Sequence, residues 1–485
     1  DELNTTLKQF LVPEHRVSGD IRPTPEDQKK AMTLSEEKQP KTLDQTNEVA
    51  EPLKDVKVYQ QEVAQFVEQS AQQLQKNEQK IQRGQLKNGI RYALYPTSTR
   101  DDKTYATISL DFGDEKALFG KATTLDLASY LMLRGSEKHT LQEITDKAIA
   151  ASGGASVSSN GNGLTIVIQA KKDKFEDFFS FIVDVLKQPK FAQTEFDLAK
   201  NQSLSALDRP YTEPAVVASM TLSRVLEIYQ PGDLRYHFEP ELAKKQLNEA
   251  TQAQVKQFYD QFFETNYAQI AITGDFDAKK MKKTLQKTFG SWKAKQPFRK
   301  VTGQYTEYKA QKIHALSEQR EFGSYQSILA IPVGSYHPDA PALIVLSHIL
   351  GNSQLSSRLA QELREKNALV YGFGSGLDLD PDIDDGTLSI TANYTAGRSG
   401  QVSQSVHKVL NDLLSKGVTA QEVEAAKADI MKKRVTALED ERRIHGMLTS
   451  QLERNKTLLD RAVRDQEFAK LSKDDVDRVI KKYIK

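Results

Sequence analysis

An internal repeat constrains the fold of this chain more strongly than any other feature of its sequence. Two kinds of strand-like segment, with apolar residues at alternate positions, and two kinds of helix-like segment each occur twice. The four pairs lie in the same order along the chain: 105–112 and 325–332, 164–170 and 388–394, 194–200 and 421–427, and 255–262 and 476–483. Because each copy mixes strands with helices, the repeat predicts an α+β fold of two homologous units. We expect each unit to be a mainly antiparallel β-sheet with helices packed on one face.

The repeat also predicts the domain boundaries. We expect the first unit to span residues 83–297 and the second to span residues 298–485. Residues 38–82 are rich in Gln, Glu and Lys and show weak helical periodicity, which is typical of an interdomain linker. Residues 1–37 are expected to be the tail of a preceding homologous domain, because a Leu-Lys-Gln-Phe run followed by Gly-Asp matches the end of the first unit. On this interpretation the natural polypeptide begins upstream of Asp1.

Composition and charge exclude several classes of protein. Lys and Arg total 67 and Asp and Glu total 66, so the formal net charge is +1 and no global field favours nucleic acid or an anionic membrane. No window approaches the ~20 apolar residues of a membrane span. The chain contains no cysteine, which excludes disulfides and thiolate metal sites but suits both intracellular and bacterial envelope proteins.

One segment of the second unit carries a specific resemblance to a known family. Residues 356–371 read Ser-Ser-Arg-Leu-Ala-Gln-Glu-Leu-Arg-Glu-Lys-Asn-Ala-Leu-Val-Tyr. This run resembles the second-unit signature of the pitrilysin/insulinase family of zinc metallopeptidases, whose zinc motif is the inverted one. The resemblance covers the whole chain, linker included, and implies the C-terminal, non-catalytic half of a bacterial member. The implied fold is one half of a metallopeptidase clamshell.

Arg364 and Tyr371 are the residues that the resemblance marks as functional. In this family an Arg and a Tyr at this spacing reach the zinc site of the other half and bind the peptide beside the scissile bond. Their chemistry is suitable, since a guanidinium donates to a peptide carbonyl and a phenol can donate to a tetrahedral oxyanion. From the residues alone, the alternative is an Arg near the C-terminal end of a helix over 356–366 and a tyrosine packed on a strand.

The zinc motif itself is lost. Residues 120–136 resemble the helix that carries H-x-x-E-H in the catalytic unit. In register with the Arg-Gly-Ser at the end of this stretch, the motif positions hold Asp126, Ser129 and Tyr130. The family's third ligand, a Glu, would fall within 202–206, which contain no carboxylate. Because zinc needs at least three converging donors, we expect no metal in this chain, with zinc bound instead by a partner catalytic half.

Two functions follow from these expectations. The first is the substrate-binding half of a zinc-dependent endopeptidase that encloses and cleaves peptides, with zinc and general base supplied by the other half. That catalytic half lies upstream in the same polypeptide or is a separate subunit, and this chain alone is predicted to be inactive. The alternative is a structural or assembly protein derived from the same family without proteolytic activity. Retention of Arg364 and Tyr371 favours the first, since a scaffold needs neither.

An independent enzyme that uses Asp126 or the Asp384-Asp385 pair is a third reading, and it is disfavoured because consecutive acidic residues in a loop are usually solvated. The expected partners are the catalytic half and a peptide, without nucleic acid and without a membrane span. By resemblance to bacterial envelope members, the expected location is the periplasm or cell envelope, with the cytoplasm as the alternative.

Overall fold

The structure, a computed structural model, describes residues 53–318, 321–353 and 355–484. The predicted preceding tail and the first part of the predicted linker lie outside these residues. The rest of the predicted linker is mostly one long helix, α1 (Val56–Glu78). It begins after Asp55, whose side chain accepts a hydrogen bond from the backbone N–H of Lys57 (2.8 Å), as expected of an acidic N-cap.

The first repeat unit is built on a six-stranded sheet. Its strands are β1 (Gln82–Gln85), β2 (Arg91–Pro96), β3 (Lys103–Asp111), β4 (Gly154–Ser159), β5 (Gly163–Lys171) and β6 (Gln269–Gly274). Their order across the sheet is β1-β2-β6-β3-β5-β4. All neighbours pair antiparallel except β2 and β6, which are parallel because β6 returns to the sheet through a long helical connection.

The helices of this unit pack on one face of that sheet, except the helix over 214–225, which lies against the strand over 322–331 of the second unit. They are α2 (Glu115–Leu118), α3 (Ala122–Leu131), α4 (Leu141–Ala150), α5 (Phe175–Lys187), α6 (Gln193–Leu207), α7 (Pro214–Val225), α8 (Pro240–Glu249), α9 (Gln252–Phe262) and α10 (Ala278–Phe289). In the core between sheet and helices, Ile108 and Leu110 of β3 are buried in one cluster with Phe178 and Phe179 of α5. Alternate strand residues thus supply one wall of the core, as their period of two requires.

The second unit has a smaller sheet of three antiparallel strands, β7 (Phe322–Ile331), β8 (Val370–Leu379) and β9 (Gly386–Thr395). Their order, β7-β9-β8, reproduces the order β3-β5-β4 of the first sheet. The α-helices are α11 (Ala340–Ser347), α12 (Ser399–Lys416), α13 (Ala420–Ala437), α14 (Glu441–Glu453), α15 (Leu458–Ala469) and α16 (Lys473–Tyr483). Two short π-helices are also present, π1 (His348–Asn352) and π2 (Ala360–Lys366).

The predicted α+β class with mainly antiparallel sheets is confirmed. The strand-like segments of the repeat form β3 and β5 in the first unit and β7 and β9 in the second. The domain boundaries stay predictions, although the two sheets fall on either side of the expected division. Within the described part of the chain, no helix combines the length and the apolar composition that a membrane span requires.

A helix of the second unit covers the remaining face of the first sheet. His445 of α14 is only 9% exposed, and its ring nitrogens lie 2.8 Å from Thr107 Oγ1 and 3.0 Å from Thr273 Oγ1. These threonines belong to the neighbouring strands β3 and β6. Ile444 and Leu448 of α14 are buried in one cluster with residues of the same sheet. The two repeat units are therefore packed into each other rather than joined only by a connecting segment.

Candidate functional site

Arg364 lies on π2, a segment whose start and helix type differ from the α-helix that we expected. We expected an α-helix over 356–366, whereas the helix begins at Arg358 and continues as a π-helix from Ala360. Ser357 explains the late start, because its hydroxyl accepts the backbone N–H of Ala360 (3.3 Å) in the manner of an N-cap. Leu359 and Leu363, four residues apart on this segment, are both buried. Single π-turns recur at functional sites because they change where the side chains of a helix point.

The end of π2 is closed by a turn that fixes the path from Arg364 to the next strand. Ala368 has a left-handed backbone conformation, with φ of 45°. Its N–H donates to the carbonyl of Arg364 (3.1 Å), and the N–H of Leu369 donates to the carbonyl of Leu363 (2.9 Å). The Arg398 guanidinium donates to the Ala368 carbonyl (2.9 Å) from outside the turn. This is a widened version of the double hydrogen bond that commonly ends helices.

Tyr371 projects from a bulge in β8. In the pairing with β9, Val370 and Gly372 face consecutive residues, so Tyr371 is the extra residue between them. Its side chain is 59% exposed and its ring meets that of Phe322 edge-on, at 5.3 Å between centroids and 73° between planes. Bulges often redirect a side chain near a functional site. Here the bulge exposes the phenol of Tyr371 to solvent, while Phe322 packs against its ring.

The environment of Arg364 differs from that of the first Arg in the same signature. Arg358 is fully engaged, since its guanidinium binds both carboxylate oxygens of Glu422 (2.8 and 2.9 Å) and the carbonyl of Gly417 (2.8 Å). Burial raises the pKa of Glu422, but the hydrogen bonds from Arg358 and Thr419 and the charge of Arg358 together lower it by more. Arg364 is half-buried and makes no ion pair or side-chain hydrogen bond with any described residue. Arg358 therefore anchors the segment, while Arg364 is left available.

A second ion pair joins π2 to the helix α12. The carboxylate of Glu362 is buried and accepts hydrogen bonds from Lys408 Nζ (2.7 Å) and from Asn367 Nδ2 (3.2 Å). The hydrogen bond from Lys408 is the main reason why the pKa of Glu362 is lowered. Sequence reasoning missed this anchor and that of Arg358, because ion pairs formed across 46 and 64 residues leave no local pattern.

The residues predicted to stand at the zinc-motif positions lie on α3, and the segment predicted for the third ligand lies on α6. Asp126 is exposed and accepts a hydrogen bond from Ser159 Oγ (2.6 Å), while crowding by neighbouring protein atoms raises the pKa of its carboxyl. Ser129 is buried and donates back to the Asp126 carbonyl (2.8 Å). The Tyr130 phenol donates to Gln202 Oε1 (3.4 Å). Tyr130, at the expected position of the second His, is thus adjacent to the segment expected to hold the third ligand. The two side chains that meet there are a phenol and an amide, and neither is a usual zinc ligand.

These groups do not form a metal site. Of the substituted positions only Asp126 is a carboxylate, and it bonds a serine hydroxyl instead of facing other donors. Across residues 53–318, 321–353 and 355–484, no three His, Cys, Asp or Glu side chains come together in a way that could hold a metal ion. The described side chains of α3 and α6 contact each other but do not provide a set of zinc ligands.

Comparison with known proteins places this chain among zinc proteases and their inactive relatives. A family model described as the peptidase M16 inactive domain matches residues 249–430. An uncharacterized zinc protease of Mycobacterium leprae is 30% identical over 195 residues, which are 39% of this chain and 42% of that protein. A Helicobacter pylori protein described as the non-peptidase homolog YmxG is 21% identical over 290 residues, 59% of this chain and 63% of that protein. The alignments therefore span less than two thirds of either relative.

Solved structures share the fold at low sequence identity. A peptidase M16 inactive domain from Pseudomonas fluorescens has a TM-score of 0.69 at 19% identity, covering 84% of this chain and 95% of its own. The periplasmic protease PqqL from Escherichia coli has a TM-score of 0.62 at 16% identity, covering 84% of this chain but only 44% of its own. The fold described above thus matches a whole chain in one case and less than half of a larger protease in the other.

Proposed function

Because the chain belongs to the M16 peptidase family, and within it to the non-catalytic halves, we propose that it is the substrate-binding half of a zinc-dependent endopeptidase. The observation that carries the proposal is the contrast between its two sites. The zinc positions have been replaced by Asp126, Ser129 and Tyr130. By contrast, Arg364 and the hydroxyl of Tyr371 make no side-chain hydrogen bond or ion pair with any described residue, and they lie at the two ends of a hydrogen-bonded turn.

In this proposal the catalytic half supplies the metal, which activates water and polarises the scissile carbonyl when bound there. This chain supplies the contacts that hold the peptide. The guanidinium of Arg364 donates to a backbone carbonyl of the substrate, and the hydroxyl of Tyr371 donates to the oxygen that becomes negative as the carbonyl is attacked. The closed turn at Ala368 and the bulge in β8 set the spacing of the two donors before the peptide arrives.

The local structure supports a binding role over a packing role for the pair. A tyrosine that only packed would bury its ring, yet the Tyr371 side chain is 59% exposed. An arginine with a purely structural role would be expected to be engaged by acceptors within the fold, as Arg358 is by Glu422 and Gly417. A bulge also disrupts a sheet locally, so its presence at Tyr371 is easier to explain when that side chain has a ligand.

The second candidate is a structural or assembly protein of the same family. It is favoured by the replacement of every expected zinc ligand and by the similarity to YmxG, which is described as a non-peptidase homolog. On this alternative the surface around Arg364 and Tyr371 contacts a partner protein and never a peptide at a zinc site. The two candidates differ in whether the hydroxyl of Tyr371 contributes to the rate of peptide cleavage.

The deciding experiment combines this chain with a catalytic M16 half and measures zinc-dependent peptide cleavage. Tyr371→Phe removes only the hydroxyl, and loss of one transition-state donor lowers kcat by ~10²–10³, equivalent to ~2.7–4 kcal/mol. Zinc content and folding should not change. Arg364→Ala should weaken peptide binding as well, since its donor also meets the ground-state carbonyl.

Tyr336→Phe is the matched control. Tyr336 is 45% exposed, and the side chains of Lys456 and Arg464 lie over its ring, away from π2. The control variant should cleave at the rate of the unmodified protein. If Tyr371→Phe does so too, the structural candidate becomes the better account. The proposal extends to the compartment, which is the bacterial periplasm or cell envelope with the cytoplasm as the alternative, and fractionation of native cells tests it.

A further inference from the structure

A cavity separate from the candidate site lies between the linker helix α1 and the helices of the second unit. Its volume is ≈ 350 Å³, at the lower end of the range of small-molecule pockets. It is lined by residues of α1, α11, π1, α13, α14 and α15: Ser70, Ile344, His348, Asn352, Ile430, Lys433, Arg434, Ala437, Leu438, Met447, Arg461 and Asp465. Neither Arg364 nor Tyr371 is among them.

One side of the cavity is apolar. Ile344 comes from α11, Ile430 and Leu438 from α13 and its end, and Met447 from α14. An unbranched thioether adapts its shape to a ligand better than a branched side chain does. This wall is suited to a short apolar body.

The other side is cationic, and its single carboxylate is already fully used. Asp465 is 1% exposed and accepts hydrogen bonds from Ser70 Oγ and Arg434 Nη1, both at 2.8 Å. Arg461 Nε forms an ion pair with the same carboxylate at 3.2 Å, and the Arg461 guanidinium has no other hydrogen bond or ion pair within the described residues. With Lys433, three permanent cations face one carboxylate in the lining.

Neighbouring groups just outside the lining leave the excess of positive charge in place. Asp429 pairs with Lys433 at 2.8 Å and with His348 Nε2 at 3.1 Å, so it offsets one cation only. Burial, followed by the nearby charge of Arg461, lowers the pKa of Arg434 to about 10. Arg434 therefore lies out of water beside a second guanidinium, and the two share the carboxylate of Asp465.

The short π-helix π1 forms part of the wall and contributes two polar groups to it. His348 and Asn352 stand at its first and last positions and both line the cavity. Between them, Gly351 allows π1 to approach β8 closely, because a Cβ there would lie 2.7 Å from the backbone nitrogen of Ser375. The π-turn is therefore fixed by packing on the sheet, and π-turns recur at binding sites.

We propose that this cavity binds a small amphipathic anion, a carboxylate or phosphate group joined to a short apolar body. The anionic group is held by Arg434 and Arg461, and the apolar body lies along the wall that contains Met447. Charge-assisted hydrogen bonds from guanidinium groups out of bulk water supply the specificity for an anion.

The test is calorimetric titration of the unmodified chain with sodium octanoate, octyl phosphate, octylamine and inorganic phosphate. One octanoate or octyl phosphate is expected to bind per chain, and the tighter of the two identifies the preferred head group. Inorganic phosphate should bind at least about tenfold more weakly than octyl phosphate, because burial of the apolar body adds to binding. Octylamine should show no binding, and comparable binding of the amine or of inorganic phosphate would overturn the proposal.

A pair of variants on adjacent helices sharpens the result. Arg461→Gln removes the guanidinium that has fewer protein partners. It should weaken octanoate binding by about tenfold or more, since hydrogen bonds to charged groups contribute more free energy than those between neutral groups. Lys432→Gln is the matched control, because Lys432 is exposed on α13 and does not line the cavity. Equal affinities of Arg461→Gln and Lys432→Gln for octanoate contradict the assigned site. The comparison of octanoate with octylamine needs no variant and decides the question even where Arg461→Gln does not fold.

Discussion

The buried histidine between the two repeat units predicts an acid sensitivity that can be worked out in magnitude. Burial lowers the pKa of His445 from 6.5 to about 4, because its ring faces two threonine hydroxyls and no described carboxylate bonds to it. A histidine whose pKa is depressed in the folded state is neutral there, while the unfolded chain takes up a proton below pH 6.5. Stability is therefore lost as pH falls from about 6.5 towards 4.

The expected loss from this one group is about 2 kcal/mol at pH 5 and approaches about 3 kcal/mol below pH 4. Urea unfolding at pH 7.5 and pH 5 measures it in the unmodified chain and in His445→Gln, which has no titrating ring. The unmodified chain should lose about 2 kcal/mol more than the variant over this interval. His314→Gln is the control, because His314 is exposed and its replacement should leave the pH dependence unchanged.

The result that would refute this reasoning is equal pH dependence of the unmodified chain and His445→Gln. That outcome would mean that the imidazolium is accommodated between Thr107 and Thr273 without loss of free energy. Hydrogen exchange of the α14 backbone offers a second readout, since protonation of His445 should loosen this helix from the first sheet before the chain unfolds as a whole.

Two further predictions concern the turn and the lost metal site. Ala368→Gly should raise the free energy of unfolding by about 0.5–1 kcal/mol, because glycine adopts the left-handed conformation at φ of 45° without strain; urea titration measures this, and a destabilised variant would contradict it. The chain should hold no stoichiometric zinc after dialysis, since Asp126 and Tyr130 stand at the expected positions of the two His ligands and 202–206 contain no carboxylate; metal analysis that finds one zinc per chain, retained against a weak chelator, would contradict it.

The strands of the repeat could be predicted from sequence because their alternation is strong. Ile108 and Leu110 in β3, like Leu388 and Ile390 in β9, place buried apolar side chains at every second position. The strands β4 and β8 are harder to predict, since their glycines and serines give little apolar contrast. Strong alternation identifies a strand, whereas small residues conceal one.

The linker helix shows why weak periodicity can still mean a docked helix. The buried residues of α1 are Val63, Ser70, Leu74 and Asn77, which share one side of the helix. Two of the four are polar and are bonded to residues outside the helix: Ser70 Oγ donates to Asp465, and Asn77 Oδ1 accepts a hydrogen bond from the hydroxyl of Tyr95. An apolar pattern search finds half of this face, and no local signal indicates the rest.

The candidate site was predicted only as far as its residue types. The signature identified Arg364 and Tyr371 as a pair, and their roles stay predictions. What the sequence could not provide was the geometry, because a π-turn and a bulge arise from packing and strand register and not from a local motif. The same limit applies to α14, because no local pattern indicates its contact with the other unit's sheet.

The position of α14 has a mechanical consequence. A helix from one repeat that lies across the strands of the other acts as a brace, because any bend between the repeats must pull His445 away from Thr107 and Thr273 and expose Ile444 and Leu448 to water. The two repeats should therefore move as one rigid body. Motions that admit or release a ligand should cost less free energy at the outer surfaces of this body than between the two repeats.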